Sequence, residues 1–136
     1  MKTFRIFFIF FCLIFNQNLD SIEMSDRWKL VTEDVKYGDS WYLDTESFMR
    51  KNGFLHVYIL VNYQIKQNGG YHSIISRWMI DCDLMGHKYL ALTSYEKKFG
   101  AGNVIDIVSA KDMNEWQYPP PRSNGYLVEE FACANF

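Results

Sequence analysis

Three cysteines constrain this chain more than any other feature. Cys12 lies inside an apolar run near the N-terminus, Cys82 within Asp81-Cys82-Asp83, and Cys133 close to the C-terminal end. The apolar run has the anatomy of an export signal. Lys2 and Arg5 supply a positive start, residues 6–15 (IFFIFFCLIF) form an unbroken run of ten, and Asn16, Gln17, Asn18 and Asp20 end it. Ten residues are too few to span a bilayer, so residues 1–25 are assigned to a signal peptide and 26–136 to a single domain. No A-x-A cleavage site follows; the small residues Ser21 and Ser25 are the candidates. Two cysteines then remain in an oxidising compartment, where thiols pair. One pairing is available, Cys82 to Cys133, and it ties the tail to the middle of the domain. Closing a loop of that length adds on the order of 4 kcal/mol in the chain-entropy view.

The remaining segment of about 110 residues is long enough for one modest core. Half the chain is apolar and 18% is aromatic, which excludes a disordered segment. The net charge of −2 offers no bulk attraction for nucleic acid or anionic lipid. No later stretch is apolar enough to be a transmembrane helix.

The pattern along the chain is mostly of strands. Trp28-Lys29-Leu30-Val31 and Ser40-Trp41-Tyr42-Leu43 are two short ones, and a turn follows at Asp44-Thr45-Glu46-Ser47. Asn52-Gly53 marks a hairpin, since both residues tolerate positive φ. Residues 54–64 form the longest strand, with Leu55, Val57, Ile59, Val61 and Tyr63 on one face and His56, Tyr58, Leu60 and Asn62 on the other. Residues 71–83 follow, and their even positions, including Trp78, Ile80 and Cys82, form the better core face. Met85-Gly86-His87 turns the chain into a strand over 88–95, Gly100-Ala101-Gly102 breaks it, and 104–108 is the last strand. Hairpin after hairpin predicts an antiparallel meander rather than βαβ units.

Pro119-Pro120-Pro121 changes the character of the chain to an extended connector. Ser123 or Asn124 then caps a short helix. Leu127, Phe131 and Ala134 recur on one side with Val128 and Ala132 beside them, while Glu129 and Glu130 are expected to face water. The whole reads as an α+β domain: a curved antiparallel sheet of about six strands, with a C-terminal helix packed on one face and tied by the disulfide.

In order, Trp28-Lys29-Leu30-Val31, Tyr42-Leu43-Asp44-Thr45-Glu46-Ser47, Tyr58-Ile59-Leu60-Val61-Asn62-Tyr63, Ser73, Asp81-Cys82, Gly100-Ala101-Gly102, Trp116, Pro120 and Cys133 resemble the surface-adhesin protein E-like family of bacterial envelope proteins. Tyr58 stands where that family favours Trp, Asn62 where it favours Asp, and no lipobox precedes Cys12. The resemblance implies a non-enzymatic interaction module, exported to the periplasm or the cell surface, that binds host extracellular-matrix or serum proteins. The alternative is a periplasmic module acting on other envelope components, with no host ligand.

The residues themselves point to no reaction, metal or cofactor. His56, His72 and His87 fall on separate elements, without His-x-His or Cys-x-x-Cys spacing. Asp81 and Asp83 share a strand face with Arg77 and read as a solvated face. No phosphate loop, G-x-S-x-G elbow or HExxH motif is present. The aromatic excess is the remaining signal. Tyr42, Tyr58, Tyr63 and Tyr71 are the candidate contact residues for a protein partner or a second copy in a homodimer; the competing reading is that they pack the second face of a thin sheet.

Overall fold

The computed structural model describes residues 26–136; the export signal assigned to 1–25, with Cys12, lies outside them. The chain runs through β1 (Trp28–Glu33), β2 (Ser40–Asp44), β3 (Met49–Lys51), β4 (Phe54–Asn62), β5 (Ser73–Asp81), β6 (Gly86–Tyr95), β7 (Val104–Ser109) and α1 (Asn124–Asn135). Every pairing is antiparallel, in the order β1-β2-β4-β5-β6-β7, with β3 beside β4 on the flank that β2 also uses. The α+β class and the meander both hold, with seven strands. The additional one, β3, is three residues long and too short to show a period. It is made by the Asn52-Gly53 turn, whose φ values of 53° and 81° suit a two-residue hairpin that pairs Lys51 with Phe54.

Strand alternation builds the core. Leu43, Leu55, Val57, Ile59, Val61, Trp78 and Ile80 from the sheet meet Val128 and Ala132 of α1. Ser123 caps the helix, its Oγ accepting from Tyr126 N–H at 3.4 Å. Cys82 and Cys133 are disulfide-bonded with Cα atoms 5.7 Å apart, which fastens the last turn of α1 to the end of β5.

Three local expectations change. Gly86 and His87 belong to β6 rather than to the preceding turn, because Asp81 Oδ1 accepts from Asp83 and Leu84 N–H and closes that turn earlier. Asp81 is thus engaged by backbone. The buried side of α1 carries Val128, Glu129 and Ala132, while Ala134 is exposed. Glu129 is fully buried, not solvated. Leu60 and Asn62, on the outer face of β4, are also buried. Residues 97–102 fold back across that end of the sheet: Asn62 Oδ1 accepts from Phe99 N–H at 2.7 Å, Ser73 Oγ donates to Lys97 O at 2.6 Å, and the Phe99 ring lies 5.6 Å from Tyr42.

Candidate functional site

The four candidate tyrosines do not form one patch. Register places Tyr42 opposite Leu60 on the outer face, and there Phe99 buries it. Tyr58 lies half-buried on the same face, paired across the strands with Arg77, whose guanidinium is 6.0 Å from its ring. Tyr63 and Tyr71 pack edge to face at 5.7 Å, and Tyr63 leans on the helix-side core. Burial, with Tyr71, Asp39 and Tyr89 adding to it, pushes the Tyr63 hydroxyl up to about 12.

Tyr71 leads to the more open surface. With Ile74, Leu92 and Ile105 it lines a depression of about 320 Å³ on the helix-side face. The depression borders β7, the last strand of the sheet, whose far edge has no partner strand among the described residues. β7 exposes Val104, Ile105 and Ile107 (51%, 41% and 70%). An edge that is apolar and unpaired is a template for another strand. Its one guard is Asp106, whose carboxylate accepts from Ile107 N–H at 2.9 Å.

A second constellation surrounds His87. Its Nδ1 lies 2.6 Å from Glu129 Oε1, with both side chains buried between β6 and α1. The imidazole stacks on Trp78 at 3.7 Å and meets the edge of Tyr89 at 5.0 Å; Trp41 in turn meets Trp78 edge-on at 6.5 Å. Gln117 exchanges both backbone hydrogen bonds with His87, at 2.9 and 2.8 Å, so residues 117–120 form a strap beside β6. The Tyr118 ring closes over Gly86, where a Cβ would stand 2.6 Å from it. Between strap and sheet is a cleft of about 300 Å³ lined by Trp41, Trp78, His87, Tyr89, Gln117, Tyr118 and Pro119. Sequence reading missed both this pair and the β7 edge. The signal for the pair was the helix spacing: Glu129 is four residues before Cys133, so an inward Cys133 carries Glu129 inward with it.

His72 Nδ1 lies 3.1 Å from Glu96 O, and burial, then Arg77 and Lys51, hold His56 below its ordinary value. Among the described residues no three His, Cys, Asp or Glu side chains converge as metal ligands.

A family model for surface-adhesin protein E matches residues 28–134. The chain belongs to this family. Solved structures of Haemophilus influenzae protein E share its fold. Crystal form II superposes with a TM-score of 0.59 at 17% identity, over 82% of this chain and 90% of that one. Protein E from a non-typeable H. influenzae gives 0.58 at 17%, over 81% and 77%. No curated protein sequence matches this chain. Among the described residues of this family member, no helix is long and apolar enough to cross a membrane.

Proposed function

We propose that this protein is an exported, surface-displayed interaction module that grips its partner by strand addition at β7. The exposed apolar edge of Val104, Ile105 and Ile107 carries this reading. In strand addition, backbone hydrogen bonds supply affinity and pockets for alternate side chains supply specificity. The depression beside β7, walled by Tyr71, Ile74 and Leu92, is placed to take one such side chain. The partner is a protein with an extended segment, and membership of a surface-adhesin family supports host extracellular-matrix and serum proteins as its class. Of the four tyrosines, Tyr71 belongs to the contact set; Tyr58 offers a separate contact on the opposite face.

Binding of immobilised matrix and serum proteins by the oxidised protein tests this. Ile107→Lys places a charge on the edge without touching the helix-side core, and lysine is a common guard of natural edge strands. It should weaken capture about tenfold or more, as expected for a contact worth over about 1.4 kcal/mol, with an unchanged melting temperature. Equal binding by wild type and Ile107→Lys would remove β7 as the grip. Capture of envelope proteins alone would favour the periplasmic alternative. Cleavage of the protein on intact cells by added protease would support surface display.

A further inference from the structure

The cleft beneath the 117–120 strap is independent of the β7 edge. We infer that it binds a substituted ammonium group, an organic cation with a short apolar body. His87 lines the cleft, and the ring atom it leaves without a hydrogen-bond partner among the described residues is Nε2. Its side chain is 4% exposed. When Nδ1–H is donated to Glu129, a neutral imidazole presents Nε2 as an acceptor. With Glu129 ionised against that neutral ring, the pair carries one negative charge behind the cleft floor. Glu129 Oε2 is likewise unpartnered among the described residues, so that charge is left partly uncompensated. No lysine or arginine lines the cleft.

The walls suit the same ligand. Trp41, Tyr89 and Tyr118 present aromatic surface, whose negative ring faces attract cations most where water is excluded. Pro119 and Pro120 supply apolar contact for the body of the ligand. Across Tyr89 and Gln117 the cleft adjoins a wider depression that carries Asp112, Glu115 and Lys111, with Lys88 Nζ at its rim, 3.4 Å from Asn114 Oδ1. Burial, and after it the Glu129 charge, raises the Tyr89 hydroxyl. A volume of about 300 Å³ lies at the small end of ligand sites and limits the occupant to a few heavy atoms beyond the ammonium.

The chemistry is shared by a free quaternary amine and by a methylated lysine side chain. The test titrates the oxidised full-length protein with choline, with its neutral tert-butyl isostere and with a peptide bearing trimethyllysine. Tryptophan fluorescence and the His87 ring-nitrogen NMR signals are followed. Choline or trimethyllysine should shift both signals saturably, and the neutral isostere should bind about tenfold more weakly or worse. Tighter binding of choline assigns a free small molecule; tighter binding of the peptide assigns a protein side chain; either supports the site. Trp41→Leu should weaken the cation about tenfold; because Trp41 also packs edge-on against Trp78, binding is compared below the variant's own melting temperature. Glu129→Gln should weaken the cation likewise, and if that variant does not fold, the comparison of cation with isostere still decides. No saturable shift with either cation, or equal affinity for the isostere, overturns the inference.

Discussion

Asp44 ends β2 and, although fully buried, is the hub of the break before β3. Its carboxylate accepts from Arg27 Nη2 at 2.6 Å, from the Ser47 hydroxyl and from Glu46 N–H at 3.0 Å. Burial opposes its charge, but these hydrogen bonds and the Arg27 charge win, and the carboxyl is held below its ordinary value of 3.8. His56 is held below 6.5, by burial first. In both cases the unfolded chain takes up the proton before the folded one does. Stability present at neutral pH is therefore lost on acidification, first as pH falls below about 6.5 through His56 and again below about 3.8 through Asp44. Urea midpoints from pH 7.5 to 3 should fall in two stages, and His56→Gln should flatten the upper one. Glu129 makes a different demand. Glu129→Ala leaves the His87 Nδ1–H buried without its acceptor and should cost about 1–3 kcal/mol, measured by urea unfolding. Strand alternation made inward residues such as Trp78 and Ile80 legible, because period two leaves one choice once a face is known. Glu129 was harder to read: its spacing from Cys133 turns it inward, but a charged residue is rarely buried unless paired, and its partner His87 stands 42 residues away.

Elements were legible where local chemistry decides them and obscure where distant segments do. Asn52-Gly53 announced its hairpin, and Ser123 its helix, through backbone preference alone. Leu60 and Asn62 looked like outer-face residues because nothing near β4 in sequence covers them; the cover arrives with residues 97–102. The proposed grip edge was hidden for a similar reason. The pattern makes 104–108 the last strand, but only the sheet order shows that no strand among the described residues covers the far side of Val104, Ile105 and Ile107. At this scale the element most dependent on help is α1. Its 12 residues make a helix that is marginal alone, and its buried side carries a carboxylate. The disulfide should therefore decide whether it stays docked. The oxidised protein should show no free thiol from Cys82 or Cys133 when denatured without reductant. Cys133→Ser should cost about 2–5 kcal/mol in urea unfolding, with limited proteolysis cutting first in the segment from Pro119 onward. Two titratable thiols at Cys82 and Cys133 would contradict the bond.

For the whole molecule, the covalent bond divides the sheet unequally. β1 to β5 lie before Cys82, while β6, β7, the strap and most of α1 lie between the two cysteines. The proposed grip on β7 is thus made by a segment closed at both ends. When a partner pulls on a molecule held at its other end, the covalent path from β7 to the rest of the chain runs only through Cys82 or Cys133. The 51-residue separation between them would otherwise pay out about 170 Å of slack, taking the reach of an extended chain. Pulled from its termini in a force spectrometer, the oxidised protein should unravel to a contour shorter by about that length than the reduced one. With β7 as the proposed grip, the bond would make this protein a short, stiff tether under flow: it would give way at β1 and β2 while the loop between the cysteines keeps its length.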